Sequence, residues 1–110
     1  MRTFLASLAG FLLLIISVTV CAEMVYFDGN GLKQRLAETK DNIPRTMAMG
    51  YIVGVYDTAS GVAICGPEEV NAGELVAVVE KYLAEHPEQW HTKASDIVIK
   101  ALSTVFPCRK

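Results

Sequence analysis

Few residues in this chain have the type and spacing to do chemistry. His86 and His91 lie five apart with Pro87 between them, and no cysteine or acid completes a zinc-binding set, so no metal site is expected. Ser60-Gly61 lacks a Gly-x-Ser-x-Gly frame and has no base in view, so a serine nucleophile is not expected either. Glu68-Glu69 form a carboxylate pair just ahead of a helix, where such charges more often serve the helix dipole than acid–base work. Asp57 ends an apolar run. It reads either as a turn former in Asp57-Thr58 or as a contact residue on an acidic edge. No nucleophile–base pair can be assembled, so neither catalytic residues nor a cofactor are expected.

The cysteines carry more information. Met1-Arg2-Thr3 is a short basic lead, Phe4 to Val20 is an uncharged and mostly apolar run, and Val20-Cys21-Ala22 fits the small-residue rule for signal peptidase. The sequence thus predicts a signal peptide over 1–22, cleavage between Ala22 and Glu23, and a mature domain over 23–110. Two other readings stand beside it. Cys21 could be lipidated, although the residue before it is not small. The apolar run also approaches the ~20 residues that span a bilayer. Cleavage removes one of the three cysteines and leaves Cys65 and Cys108, an even pair that in an exported chain predicts a disulfide. On the chain-entropy argument, closing that loop contributes about 4 kcal/mol. No Cys-x-x-Cys is present, so the pair reads as structural. The net charge of −2 argues against nucleic acid as a partner, because phosphate binding needs a basic face.

The elements that position these residues read as helices. Asp28-Gly29-Asn30-Gly31 is a turn-and-cap cluster, with Asn30 the expected N-cap of a helix over Gly31 to Glu38 whose Leu32, Leu36 and Ala37 face inward. Pro44 suits the first turn of a second helix running to Asp57. Met47, Gly50, Tyr51, Gly54, Val55 and Thr58 fall on one face of it. Strand is the competing reading for Tyr51 to Tyr56, but the run has no period of two. Gly50 and Gly54 are expected to admit another helix closely within a soluble core. Thr58 to Glu69 reads as a long loop, with Val62-Ala63-Ile64 briefly extended and Cys65 as its tether. Asn71 then caps a third helix in an Asn variant of the capping box, with Glu74 at N3 and Val70 and Leu75 as a hydrophobic staple. Its buried face is Leu75, Val78, Val79, Tyr82 and Leu83, with Val76 alongside, and His86-Pro87 ends it. Thr92 is the expected cap of a last helix over Lys93 to Phe106, with Ala94, Ile97, Val98, Ala101, Leu102 and Val105 inward. The fold class is therefore all-α: one small domain of about four helices stapled by one disulfide.

Taken in order, Asp28-Gly29-Asn30-x-Leu32, Gly50-Tyr51-Ile52-x-Gly54-Val55-x-Asp57, Cys65-x-Pro67, Val78 and Tyr82-Leu83 running into His86-Pro87-Glu88, Ala101-Leu102 and Phe106-Pro107-Cys108 resemble the Rap/Tai family of type VI secretion immunity proteins. The resemblance covers essentially the whole mature chain. It implies a small periplasmic all-α domain, often a homodimer, that binds and sterically blocks a peptidoglycan amidase effector and so protects the producer or its kin. Members often carry cysteines where this chain has Ala48 and, approximately, Leu36. Losing both leaves no orphan thiol. The Asp57 to Glu69 loop and the start of the next helix are the expected inhibitory surface, on their length, their acidic residues and the Cys65 tether. Asp57, Glu68 and Glu69 are its candidate contact residues. No membrane association is expected after signal cleavage. The alternative is a small periplasmic acid-stress chaperone of the HdeA type, which is also exported, helical and held by one disulfide.

Overall fold

The computed structural model describes residues 25–109. The predicted signal peptide, Cys21 and the expected Ala22–Glu23 cleavage site lie outside the described residues. Within them are four α-helices, α1 (Gly29–Ala37), α2 (Asn42–Ala59), α3 (Ala72–Glu85) and α4 (Ala94–Val105), with a 3₁₀ turn at Pro87–Gln89 between the last two. No strand forms among them, and the only β-pairing is the isolated bridges Asp28–Lys93 and Ser60–Ile64. None of the described helices is long and apolar enough to cross a membrane.

Helix boundaries follow the caps. Asp28, not Asn30, caps α1: its backbone is extended, and its Oδ1 accepts the Gly31 N–H at 2.7 Å. The helix therefore begins two residues earlier than its sequence suggests and stops at Ala37, which is exposed rather than inward. Asp41 likewise caps α2 through the Ile43 N–H at 3.0 Å, with Pro44 in the first turn. This helix continues past Asp57 to Ala59. At α3 the cap is the expected one, Asn71 Oδ1 accepting from Glu74 N–H at 2.9 Å. Thr92 does not cap α4. Its hydroxyl donates to the Gln89 carbonyl at 2.7 Å, and Lys93 holds the cap position.

One core joins all four helices. Leu32 and Leu36 of α1, Ala48 and Ile52 of α2, Leu75, Val76, Val79 and Leu83 of α3, and Ala94, Ile97, Val98, Ala101 and Leu102 of α4 are buried, with Phe27 and Ile64 closing the ends. Leu36 and Ala48, which stand at the positions the resemblance marks as cysteines, both lie in it. Val105 departs from the expected stripe of α4 and is exposed. The larger correction is at α2. Met47, Gly50, Gly54 and Thr58 face solvent; Tyr51 and Val55 are half-buried at the margin, and the buried ridge is Ala48, Ile52 and Ala59. Residues of an apolar-all-round helix cannot be assigned to a face by hydropathy, because every face meets the criterion.

A backbone seam closes the domain. The segment before α1 pairs with the connector before α4: Gly29 N–H donates to Thr92 O at 2.9 Å, Asn30 N–H to Trp90 O at 2.8 Å, and Ala94 N–H to Phe27 O at 3.0 Å. Trp90 Nε1–H donates to Leu83 O at 2.7 Å, anchoring the connector on the end of α3. Gly29 is what lets the two segments meet. A Cβ there would lie 2.7 Å from the Trp90 backbone and from Ile97 Cδ1, whereas Gly50 and Gly54 have nothing within 4 Å. The three glycines should therefore respond in opposite directions. Gly29→Ala should destabilise the fold by about 1–3 kcal/mol through overpacking. Gly50→Ala and Gly54→Ala should each stabilise it by about 0.5–1 kcal/mol through backbone entropy. Thermal unfolding of the three variants checks this.

Candidate functional site

The residues with chemical potential are dispersed, and most serve the fold. His86 stacks on Tyr82 at 4.0 Å between ring centroids, and its Nδ1–H donates to the Tyr82 carbonyl at 2.9 Å. The Tyr82 hydroxyl is held by Gln89 at 3.1 Å. His91 is exposed, and among the described residues no group of three His, Cys, Asp or Glu side chains could hold a metal ion. Ser60 sits in the bridge to Ile64 at the end of α2. Arg45 joins three helices: it donates to the Leu36 carbonyl and forms an ion pair with Glu80 at 3.1 Å. Both side chains of that pair are over 40% exposed, so it contributes about 0–1 kcal/mol at most.

What the sequence singles out as a tethered loop is a short, tightly wound turn followed by an open stretch. After Ala59 the chain reverses within five residues. Val62, Ala63 and Ile64 N–H groups all donate to Ala59 O, Gly61 N–H donates to Ile64 O, and Gly61 supplies the positive φ of 79° that the reversal needs. Val62-Ala63-Ile64 is thus a turn rather than an extended run. It places Ile64 fully in the core and leaves Val62 82% exposed at the tip. Cys65 then bonds twice to the C-terminal segment, through its N–H to Phe106 O at 2.9 Å and through the disulfide to Cys108. Gly66 lies under the Tyr56 phenol. Beyond it, Glu68 and Glu69 are exposed, and the stretch ends where Val70 packs on the core and Asn71 caps α3.

Asp57 lies not at the mouth of this loop but in the last full turn of α2, exposed. It belongs to a surface that its spacing does not reveal. Ile43 (67% exposed) and Met47 (45%) lie on the same outer side of α2, followed by the open positions Gly50 and Gly54. A shallow groove runs along these glycines, bounded by Tyr51, Val55 and Thr58 of α2 and by Ser95 and Ile99 of α4. The signal that could have exposed this face is its lack of charge: between Arg45 and Asp57, α2 carries no ionisable group other than two tyrosines. With one flank apolar and the loop acidic, the arrangement suits contact with another macromolecule more than turnover of a small one.

A family model described as Rap1a immunity proteins matches residues 19–108. The chain belongs to the Rap1a immunity protein family. Comparison with curated proteins found no match. Immunity proteins act by binding a cognate effector protein, so this chain's partner is a secreted effector. In this Rap1a immunity protein, the buried Ile64, the Cys65–Cys108 disulfide and the Asn71 cap hold the segment linking α2 to α3. The double variant Cys65→Ser/Cys108→Ser should lose about 4 kcal/mol of stability. In conditions where its helices still fold, glutamyl endopeptidase should cut after Glu68 and Glu69 faster than in the disulfide-bonded chain. Urea unfolding and timed digestion read the two effects.

Proposed function

We propose that this protein works in the periplasm as the immunity partner of a peptidoglycan-cleaving amidase delivered by type VI secretion, and that it acts by steric occlusion. The family match over 19–108 carries the reading. Two further features support it. The basic lead, apolar run and Val20-Cys21-Ala22 site suit export across the inner membrane. A bonded Cys65–Cys108 pair suits an oxidising compartment, where such bonds form and persist. A toxin that attacks the wall must be met where the wall is.

The inhibitory contact is assigned to the outer end of α2 and the segment that follows it. Asp57, Glu68 and Glu69 are exposed, and none has a hydrogen-bond or ion-pair partner among the described residues. They can therefore engage a basic rim around an effector's cleft without breaking an internal contact. The Ile64 anchor, the disulfide and the Asn71 cap hold the segment in shape, which lowers the ordering cost of binding. Chemistry by this chain is not required, since filling a cleft blocks substrate entry.

The test is inhibition of the cognate amidase acting on purified peptidoglycan. The native chain should abolish release of cleaved stem peptides at equimolar ratio. Asp57→Ala/Glu68→Ala/Glu69→Ala should weaken inhibition at least tenfold while leaving the melting temperature unchanged. Equal inhibition by native and triple-variant chains would remove the acidic segment from the contact.

A further inference from the structure

A groove of about 450 Å³ opens between α2 and the first half of α4. Tyr51 and Val55 of α2 and Ile99 of α4 line it and pack on the core, so its walls are fixed in the free chain. Gly50 and Gly54 leave it open toward solvent, since a Cβ at either would meet nothing within 4 Å. Among its lining residues only Tyr51 is ionisable, and the Thr58 hydroxyl is turned back to the Gly54 carbonyl at 2.8 Å. Ile43 and Met47, both exposed, extend the same stripe toward the start of α2, and Asp57 stands one turn beyond Gly54. Arg45, the one basic residue of this helix, is engaged elsewhere, by Leu36 and Glu80.

Those properties narrow the occupant. A small ligand needs convergent polar groups to orient it, and here the Thr58 hydroxyl is already spent. A lipid surface favours an apolar helix face flanked by lysines and arginines, whereas this one runs into Asp57, with Glu68 and Glu69 beyond it. A second copy would bring the same uncharged stripe and no cation for Asp57. We propose that the groove takes an apolar side chain of the effector, on a segment whose basic residue, about one helical turn away, pairs with Asp57. This contact takes the immunity reading above as given and adds an apolar anchor to its acidic half. Burying an apolar group in a recess already shaped gives hold at low ordering cost, and the adjoining ion pair sets orientation and speeds encounter. Asp57 has no hydrogen-bond or ion-pair partner among the described residues, so the pairing breaks nothing within them. The contact also gives the two glycines a purpose. Glycine weakens a helix interior relative to alanine, and a larger side chain at either position would occupy the space the effector needs.

Titration calorimetry of residues 23–110 against the purified cognate effector tests this, with sedimentation of the chain alone as a second readout. The native chain should bind. Gly54→Leu should weaken binding about tenfold or more without lowering the melting temperature, because the added side chain fills the groove and meets nothing in the free chain. Gly50→Leu should do the same. Gly54→Leu/Asp57→Ala should lose less than the product of the two single losses, because both residues hold one segment. Native-strength binding by both leucine variants would overturn the groove contact and leave the immunity reading standing, whereas no binding by the native chain would overturn both. Fully multiplicative losses would separate the anchor from Asp57 and overturn the pairing. A leucine variant that binds the effector normally but sediments differently on its own would assign the groove to a second copy. Loss of fold in both leucine variants would contradict the open space that the contact requires.

Discussion

The buried ridge of α2 is the constraint on which the rest of the molecule depends. Helix α2 packs against each of the other three helices, yet only Ala48, Ile52 and Ala59 of its 18 residues are buried. Ala48 and Ile52 are completely shielded. Two small alanines and one branched side chain let α1, α3 and α4 gather closely around this line. The cost of so narrow a seat is that the other side of α2, however apolar, has nothing to pack against among the described residues. Phe27, wedged edge-on against Tyr51 at 4.9 Å between centroids and covered by the Arg35 guanidinium at 4.3 Å, marks one limit of the seat. Ile64 marks the other.

That geometry connects the scaffold to the proposed contact segment through the C-terminal end of α2. Because Ala59 is buried, its carbonyl can receive the three N–H groups that wind the following turn. Because the turn drives Ile64 into the core, Cys65 emerges beside the C-terminal segment, within bonding distance of Cys108. The acidic stretch that follows is held at both ends by the fold, and between them Glu68 and Glu69 have no hydrogen-bond or ion-pair partner among the described residues. The combination suits the proposed contact, since a binding surface should keep its shape while offering unsatisfied groups to a partner. The disulfide therefore acts less on the core, which is continuous without it, than on the join between the loop and the last helix.

Much of this was legible in the residues. Asn71 with Glu74 three positions on, and Val70 ahead of Leu75, mark the start of α3 because capping is a local interaction between near neighbours. The stripe Ala94, Ile97, Val98, Ala101 and Leu102 marks the inner face of α4 because its other faces are polar. The surviving cysteine pair marks the disulfide. Helix α2 resisted the same treatment. Its apolar residues surround it, so period alone cannot say which face is inside, and Gly50 and Gly54 suggest close packing without saying with what. Gly29 shows the converse: the residue that does permit a close approach sits in a cap cluster, where glycine has a local explanation. Asp28 and Asp41 are hard to single out as caps for a related reason, since Asx residues adjoin both starts and only the extended backbone at one of them selects it. The proposed contact surface draws its loop half from length and charge, while the exposed apolar side of α2 is illegible in the residues, because an exposed apolar face and a buried one have the same composition.

Amide hydrogen exchange of residues 23–110, alone and with the cognate effector, addresses the central claim most directly. Binding through the outer end of α2 and the tethered segment predicts strong added protection over 57–71 and little change over the seam formed by 27–30 and 90–94. Protection confined to that seam, or none anywhere at saturating effector, would contradict it.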